Sequence, residues 1–325
     1  MISIDLVLRI AVAFLKDINL EDFKQLVYET QYLITDINSF ENEKIPRDSS
    51  IQDSNSSHNP REFYIHNPRY EAELLLCHIL NFTRVEIHAK SQEEIKDYDK
   101  QRYFKLLAMR KNGTPIEYLI NKTGFYGIEL YVNNLVLIPR SETEILVEKA
   151  IKFIQENGIT SFIEVGTGSG AISISILKNL FNVSAIATDI SPQALSIANH
   201  NADAQNVKDR CNFIESNLLD FYTESISIQL LISNPPYIAM QYPLSQEVLC
   251  EPHIALFGGE KGDEILRELI KQASNKNIPY LICEMGYDQK DSMAQILEQM
   301  GYIAEFYKDY AGFDRGFIAR LRSLN

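Results

Sequence analysis

One stretch carries most of the chemistry that this sequence suggests, Leu230 to Ile238, which reads LLISNPPYI. Its apolar beginning predicts a short buried strand. Four residues follow that strand: Asn234, Pro235, Pro236 and Tyr237. The two prolines remove backbone donors and fix two φ angles, so the backbone leaving the strand is stiff and its carbonyls lack helix or sheet partners. These carbonyls are therefore free to accept hydrogen bonds from a ligand.

The spacing of these acceptors suits methyl transfer to a planar nitrogen. The side-chain oxygen of Asn234 and a backbone carbonyl, that of Pro235, could hold both N–H groups of an amide or an aromatic amine. Such a nitrogen is a poor nucleophile, and its N–H bonds become more acidic as the methyl arrives, so the acceptors fit the transition state best. Tyr237 would supply an aromatic wall. A Pro-Pro turn that only ends a strand has the same sequence and stays an alternative.

A glycine-rich loop lies upstream, between a predicted strand and a predicted helix: Gly166, Thr167, Gly168, Ser169 and Gly170. Glycines there let a ligand approach the backbone. Asp189 ends the next predicted strand, where a carboxylate can accept two ribose hydroxyls. The pattern G-x-G-x-G and the anionic Glu164 disfavour a pyrophosphate and suit a cationic amino-acid ligand. S-adenosylmethionine is therefore favoured over NAD, and glycines that serve only the core are the alternative.

From residue 142 onward, predicted helices and strands alternate, as in a doubly wound α/β domain. The predicted strands are 161–165, 183–188, 212–215, the run before Asn234, 280–284, 303–308 and 316–321. The predicted helices are 144–157, 171–179, one that Ser191-Pro192 would start, and 263–275. Because only the turn-rich DYAGFDR separates the last two strands, we expect an antiparallel pair at the sheet edge.

The first part of the chain is predicted to be helical. Residues 1–36 have apolar positions at helical spacing, which indicates two amphipathic helices. Further helices are predicted from Arg69 onward and over Gln92–Arg110. Residues 36–62 are polar and rich in Ser, Asn and Asp. Such a segment cannot bury enough apolar surface to offset the loss of chain entropy on folding, so a disordered insertion is predicted.

Two β-rich runs about the pair Asn133-Asn134 predict a hairpin between the helical and α/β parts. The predicted organisation is a helical domain over residues 1–120, a hairpin connector over 121–140 and a catalytic domain over 141–325.

Composition bears on the compartment and the class of partner. The 325 residues carry a net charge of -13 and a pI near 5.0, which argues against non-specific binding of nucleic acid. Charged residues interrupt the apolar first twenty positions, so neither a signal peptide nor a membrane span is predicted. The cysteines show no C-x-x-C spacing and the histidines no metal-ligand spacing. A cytoplasmic protein without a metal site or a membrane partner is expected, with buried thiols at Cys77, Cys211, Cys250 and Cys283.

Several segments together are more specific than any one motif. In chain order they are RYEAELLLCHIL, RKNGTPIEYLINKTGFYG, LIPRSETEILVE, EVGTGSGAISISI, ISNPPYI, EPHIALFGGEKG, EMGYDQ and KDYAGFDRGFIAR. Outside residues 36–62, the chain resembles the N5-glutamine methyltransferases of peptide chain release factors. The resemblance implies a Rossmann-like, seven-stranded methyltransferase domain after a small helical domain that helps to dock the release factor. The implied substrate is the glutamine of the factor's Gly-Gly-Gln loop.

The resemblance also implies roles for individual residues. The residues that would hold S-adenosylmethionine are Gly166, Thr167, Gly168, Ser169, Gly170, Asp189, Asn217, Leu218 and Asn234, with Asn217 and Leu218 at the adenine. The residues that would clasp the glutamine amide are Asn234, Pro235, Pro236 and Tyr237, of which Asn234, Pro235 and Tyr237 are the catalytic candidates.

Three positions depart from the family pattern. Ser141 replaces the usual proline, Glu164 replaces the commoner Asp, and Asn217 stands where Asp is frequent. Asn217 keeps a carbonyl acceptor, so we expect a weaker cofactor contact and not its loss. Arg140 could pair with Glu142 or Glu144, or face the cofactor or substrate.

Three other functions stay open from the sequence. A glutamine methyltransferase of a large-subunit ribosomal protein shares the active-site motif, although SETE after IPR favours the release-factor branch. A DNA or RNA methyltransferase would treat an exocyclic amine in the same way, but the chain is acidic and shows no recognition insertion. A catalytically silent binding module would keep the fold without needing intact glycines, Asp189 and Asn234.

Overall fold

The computed structural model describes residues 2–16, 65–223 and 228–322. The chain divides into two compact units, Met1–Asn121 with Pro243–Cys250 and Lys122–Tyr242 with Glu251–Asn325. The second amphipathic helix predicted within residues 1–36 and the insertion predicted at 36–62 lie outside the described residues.

The first unit is helical in its described part. Its helices are α1 (Ile4–Leu15), α2 (Pro68–Leu80), α3 (Arg84–Ala89), α4 (Asp97–Lys111) and α5 (Ile116–Ile120). Side-chain caps define several starts: the Ser3 hydroxyl caps α1, and Thr83 forms a capping box with Glu86 at α3. The apolar faces of α1, α2 and α4 share one core, and the hydroxyl of buried Tyr103 donates to the carbonyl of Ala72 at 2.9 Å.

Helix α4 begins at Asp97, so the predicted start at Gln92 is wrong. Residues 91–95 pair with the beginning of the chain instead. The N–H groups of Ile4 and Asp5 donate to carbonyls of this segment, and the N–H of Ile95 donates to the carbonyl of Ile2. A backbone engaged in these bonds cannot also form the first turn of a helix.

The second unit is built on a seven-stranded sheet. Its strands are β3 (Ser161–Val165), β4 (Ser184–Asp189), β5 (Cys211–Glu215), β6 (Leu230–Ser233), β9 (Tyr280–Glu284), β10 (Tyr302–Lys308) and β11 (Asp314–Leu321). Their order across the sheet is β10-β11-β9-β6-β3-β4-β5. The five strands β5, β4, β3, β6 and β9 are parallel, and β11 is antiparallel to both β9 and β10. The predicted antiparallel pair at the sheet edge is confirmed.

In the described chain, helices precede most of the strands of this sheet. They are α6 (Thr143–Asn157), α7 (Ala171–Asn179), α8 (Pro192–Ala204), α9 (His253–Leu256), α10 (Glu264–Asn275) and α11 (Lys290–Gln299). The side chains of β3 alternate between two apolar cores, with Phe162 in one and Ile163 in the other. A parallel sheet covered on both faces explains why its strands are almost continuously apolar.

The hairpin is not centred on Asn133-Asn134 as predicted. It consists of β1 (Thr123–Phe125) and β2 (Ile128–Leu130), and its turn is Tyr126-Gly127. Both turn residues have positive φ, 46° and 77°, which a two-residue turn of type I′ requires. Asn133 forms a separate turn, in which its side chain accepts from the N–H of Leu135 at 2.9 Å. A second short pair, β7 (Ile238–Ala239) and β8 (Phe257–Gly259), follows the Asn-Pro-Pro-Tyr segment.

The described helices do not include one with the length and apolar character needed to cross a membrane. All four cysteines lie in the described ranges, and none of them forms a disulfide there. Cys211 and Cys283 are buried as expected, whereas Cys77 and Cys250 are only partly buried, so the expectation is wrong for these two.

Candidate active site

The predicted site residues follow the carboxyl ends of neighbouring parallel strands. Gly166 follows β3, Asp189 ends β4, Asn217 follows β5 and Asn234 follows β6. Because these strands are parallel, their ends meet at one edge of the sheet, the edge at which open α/β sheets bind ligands. The hydroxyl of Ser233 donates to the carbonyl of Val165 at 2.7 Å and ties the ends of β6 and β3 together.

The glycine-rich loop adopts a conformation that depends on its glycines. Gly166, Gly168 and Gly170 have φ values of 75°, 54° and 84°, a region that other residues rarely adopt. A Cβ on Gly166 or Gly168 would meet nothing within 4 Å, whereas one on Gly170 would lie 2.7 Å from Ile174 Cδ1 and 3.2 Å from Ala198 Cβ. The first two glycines therefore leave open space beside the loop, and the third lets α7 pack against α8.

Asp189 holds this loop in place. The N–H of Gly168 donates to its Oδ2 and the N–H of Ser191 donates to its Oδ1, each at 2.9 Å. Burial raises the pKa of the Asp189 carboxyl, while these backbone donors oppose the shift. Because a carboxylate oxygen can accept more than one hydrogen bond, both oxygens can still receive ligand hydroxyls.

Asn217 and Leu218 form a turn beside Asp189. The N–H of Ser216 donates to the Asp189 carbonyl at 3.0 Å, and the Ser216 hydroxyl donates to the Leu218 carbonyl at 3.2 Å. Leu218 has a positive φ of 49°, which is unusual for a residue with a bulky side chain. The Asn217 side chain is exposed.

Glu164 lies beneath the glycine-rich loop and is 0% exposed. Its Oε2 accepts from the Thr167 hydroxyl at 2.9 Å, from the Ser173 N–H at 3.1 Å and from the Ser173 hydroxyl. Within the described part of the chain, its Oε1 has no hydrogen-bond partner. Burial raises the pKa of this carboxyl to about 7. One oxygen therefore anchors the loop, and the other is a buried acceptor that the protein leaves open.

Asn234 is oriented by a chain of hydrogen bonds. Its Nδ2 donates to the hydroxyl oxygen of Thr143 at 3.0 Å, and that hydroxyl donates to Glu284 Oε2 at 2.8 Å. The hydroxyl of Tyr237 donates to Glu284 Oε1 at 3.2 Å. No donor among the residues that the structure describes contacts Asn234 Oδ1. The amide nitrogen of Asn234 thus points into the protein, and its carbonyl oxygen remains available to a ligand.

Burial raises the pKa of both ionisable groups in this chain of hydrogen bonds, the Glu284 carboxyl and the Tyr237 hydroxyl. Glu284 is 1% exposed, and its pKa rises to about 7 because desolvation outweighs its hydrogen bonds and the nearby Arg315. Burial, followed by the proximity of Glu284, raises the pKa of the Tyr237 hydroxyl. Tyr237 is therefore a hydrogen-bond donor across the physiological range.

The backbone after Asn234 is fixed by glycines and by Gln289. A Cβ on Gly258 would lie 2.5 Å from the Pro236 carbonyl oxygen, and one on Gly262 would lie 2.5 Å from that of Tyr237. The side-chain amide of Gln289 donates to the Tyr237 carbonyl at 3.0 Å. No side chain in the described ranges donates to the Pro235 carbonyl. The close packing leaves this segment little freedom to move.

In the part of the chain that the structure describes, the ion pair shown for Arg140 is with Glu251, not with Glu142 or Glu144. Its guanidinium donates to Glu251, which is 1% exposed and also accepts from the N–H of Ile138 at 3.0 Å. The Glu144 carboxylate accepts from the N–H of Tyr126 at 2.7 Å. Arg140 and Glu251 thus connect the start of α6 to the segment before α9.

Four residues that support the site were not given a role from the sequence: Thr143, Glu251, Glu284 and Gln289. Each lies in a segment whose motif was noted, LIPRSETEILVE, EPHIALFGGEKG or EMGYDQ. The motifs marked these segments as belonging to the family, but they did not indicate which of their side chains would contact one another.

Comparison with known proteins agrees with this geometry. The PrmC N-terminal domain profile matches residues 60–120, and the methyltransferase small domain profile matches residues 142–275. The release factor glutamine methyltransferase of Dictyoglomus turgidum is 39% identical over 252 residues, which cover 75% of this chain and 88% of that protein. The chain belongs to the release factor glutamine methyltransferase family.

A second family member gives a similar match. The release factor glutamine methyltransferase of Clostridium acetobutylicum is 34% identical over 79% of this chain and 92% of that protein. Among solved structures, a ribosomal protein L11 methylase from Lactobacillus delbrueckii has a TM-score of 0.42 and 22% identity, over 58% of this chain and 84% of that chain. The predicted resemblance to the release factor glutamine methyltransferases is confirmed, as is the predicted Rossmann-like methyltransferase fold with its seven-stranded sheet.

Proposed function

We propose that this methyltransferase transfers a methyl group from S-adenosylmethionine to the side-chain nitrogen of the glutamine in the Gly-Gly-Gln motif of peptide chain release factors. The observation that carries the chemistry is the orientation of Asn234. Its Nδ2 is engaged with Thr143, so Oδ1 is the atom that remains for a substrate. Family membership supports the choice of release factors as the substrate.

Two acceptors would hold the glutamine amide, Asn234 Oδ1 and the Pro235 carbonyl. They match the two N–H groups of a primary amide. As the new C–N bond forms, the amide nitrogen gains positive charge and its N–H groups become better donors, so both acceptors stabilise the transition state more than the ground state. The Tyr237 ring would hold the amide plane in line with the methyl group. Pro236 contributes stiffness to the same segment.

The cofactor residues fit S-adenosylmethionine. Gly166 and Gly168 leave open space beside the loop, which a Cβ would partly fill. Asp189 offers acceptors for ribose hydroxyls, and Asn217 with Leu218 would contact the adenine. Glu164 Oε1, a buried acceptor with no partner in the described chain, suits a donor from the cationic amino-acid part. When bound, the cofactor supplies a methyl group on a positively charged sulfur, and Thr167, Ser169 and Gly170 complete the loop around it.

The wider setting of the enzyme follows from its sequence and family. We expect cytoplasmic action, with the release factor as a transient protein partner, no stable nucleic-acid partner and no membrane partner. The first unit, whose segment 60–120 matches the PrmC N-terminal domain, would contribute to docking of the release factor. In a direct displacement at the methyl carbon, the N–C bond would form as the S–C bond breaks and one amide proton would pass to water, so no metal ion or covalent intermediate would be needed.

The decisive experiment measures transfer of labelled methyl from S-adenosylmethionine to a purified release factor. A matched release factor with the Gly-Gly-Gln glutamine changed to alanine is the control. We expect labelling of the first protein only. Labelling of both would place the methyl on another residue. Labelling of neither, with the cofactor bound, would contradict the proposed substrate and direct the search to ribosomal proteins and nucleic acids.

A further inference from the structure

Glu284 and Thr143 form a buried hydrogen-bonded pair beside the segment that would hold the substrate. We infer that they are positioning residues, which turn the Asn234 amide so that its oxygen faces the substrate and which fix the Tyr237 ring beside it. This inference rests on the proposed function. The inference adds to that function the identity of the residues that orient the proposed acceptor, Asn234 Oδ1.

The argument begins with the two ends of the Asn234 amide, which have almost the same shape. Only the hydrogen-bond partners decide which end points outward. The hydroxyl of Thr143 has one hydrogen, and Glu284 Oε2 receives it at 2.8 Å. The Thr143 oxygen can then only accept, so it selects Nδ2 of Asn234, at 3.0 Å. The carboxylate thereby determines the direction of the whole chain of bonds.

The second oxygen of Glu284 serves a different element. The hydroxyl of Tyr237 donates to Oε1 at 3.2 Å, while Thr143 at the start of α6 donates to Oε2. An ionised carboxylate can accept both bonds at once. A protonated carboxyl carries a hydrogen on one oxygen, which makes that oxygen a donor and a weaker acceptor, so at least one of the two bonds is weakened or reversed. The ionised form is therefore the one that positions both residues.

This dependence on ionisation makes turnover sensitive to pH. Burial raises the pKa of Glu284 to about 7, and Arg315 opposes this shift while Glu142 adds to it. Among the described residues, Tyr237 and Tyr307 also interact with Glu284, and the thiol of Cys283 precedes it; the pKa values of all three are raised well above neutrality. They stay neutral near pH 7. Protonation of Glu284 should therefore lower kcat as the pH falls below about 7, with little effect on cofactor affinity.

The test compares three substitutions in the full-length enzyme. Thr143→Val removes the hydroxyl at nearly constant shape, Glu284→Gln removes the double acceptor, and Thr143→Ser restores the hydroxyl. Because small errors in the placement of reacting groups are costly, kcat should fall about tenfold or more in the first two variants. Thr143→Ser should recover most of the rate. The Kd for S-adenosylmethionine, measured by calorimetry, should stay within about twofold of the parent value.

Two further readouts separate positioning from a loss of fold. In Glu284→Gln, the acidic limb of the kcat profile should disappear, which a merely destabilised enzyme would not show. In ¹⁵N-labelled parent enzyme without substrate, the side-chain NH₂ of Asn234, assigned by its absence in Asn234→Asp, should exchange slowly with water. Thr143→Val should make this exchange fast. Glu305→Gln, which changes an exposed carboxylate on β10, is the matched control and should leave kcat unchanged.

The outcomes distinguish this inference from the proposed function. If the release factor is methylated at its glutamine but Thr143→Val and Glu284→Gln retain the parent kcat, the inference is wrong and the function stands. If the release factor is not methylated, the function fails, and the exchange of the Asn234 amide still decides the inference. Rapid exchange in the parent enzyme would refute it.

Discussion

Two buried carboxyl groups divide the site into two sides with different architecture. Glu164 supports the side proposed for the cofactor, formed by the ends of β3, β4 and β5, which is called the cofactor side below. Glu284 supports the acceptor side, formed by Asn234 to Tyr237 with Thr143. The two are 0% and 1% exposed, and burial raises the pKa of each to about 7. Their hydrogen bonds nevertheless differ.

Glu164 takes all its donors on one oxygen, from Thr167 and Ser173, and leaves the other without a partner in the described chain. Glu284 uses both oxygens, each for a different element of the fold. The first arrangement stabilises a local loop and leaves one acceptor for the ligand that we propose. The second joins distant elements and leaves the ligand to Asn234. Substitutions on the two sides should therefore affect different steps.

The largest expected effect is on the acceptor side. Asn234→Ala removes the oxygen that would receive the substrate N–H, so kcat should fall by about 10² or more, the scale of losing one well-placed polar group at a transition state. The Kd for S-adenosylmethionine should change little. Methyl-transfer rates and calorimetry on the same preparation measure the two quantities. Parent-like turnover would contradict the role of Asn234.

Asp189→Ala should give the opposite result. It removes the acceptors for the ribose hydroxyls and also leaves the N–H groups of Gly168 and Ser191 without a partner. Loss of bonds to a charged group predicts a rise in the cofactor Kd of about tenfold or more. Asp189→Asn keeps one oxygen and should fall between the parent and the alanine variant. An unchanged Kd in Asp189→Ala would mean that this carboxylate serves the loop alone.

The two buried carboxyls should also affect stability in a pH-dependent way. Their pKa rises from 4.5 to about 7 in the folded protein, so the folded state keeps protons that the unfolded chain has released. The free energy of unfolding therefore falls as the pH rises through this window. Glu164→Gln and Glu284→Gln remove the effect. The free energy of unfolding of the parent minus that of either variant should therefore decrease as the pH rises from about 5 to about 7. The expected slope is on the order of 1 kcal/mol per pH unit.

Urea unfolding at several pH values measures this difference, and Glu305→Gln should show no such slope. A flat difference would mean that hydrogen bonds keep the buried carboxyls ionised. The same variants sharpen the contrast between the two sides. Glu164→Gln should raise the Kd for S-adenosylmethionine, and Glu284→Gln should lower kcat.

The sequence predicted what depends on local pattern. The bounds of β3, α7 and β9 match their predictions because apolar runs, glycines and helix starts are properties of neighbouring residues. The glycine-rich loop and Asn234 were identified for the same reason. The hairpin was misplaced because Asn133-Asn134 is a stronger turn signal than Tyr126-Gly127, although only the latter has positive φ at both positions.

What the sequence could not predict depends on contacts between distant residues. Thr143 and Glu284 are 141 positions apart, and Arg140 and its partner Glu251 are 111 positions apart. Such pairs form only when the sheet brings α6 close to the ends of other strands. Glutamates near Arg140 in sequence were therefore considered as partners, and its ion pair with Glu251 was missed.

The smallest effect concerns the glycines of the cofactor side, and the chain provides a matched control. Gly168 and Gly158 both have positive φ, 54° and 63°, and a Cβ on either would meet nothing within 4 Å. Alanine at either position should lower the free energy of unfolding by about 1 kcal/mol, since both force an alanine into the left-handed region. Only Gly168→Ala places a methyl group in the space proposed for the cofactor, so only it should raise the Kd severalfold. Equal Kd values for the two variants would remove Gly168 from the cofactor contact and leave its effect purely conformational.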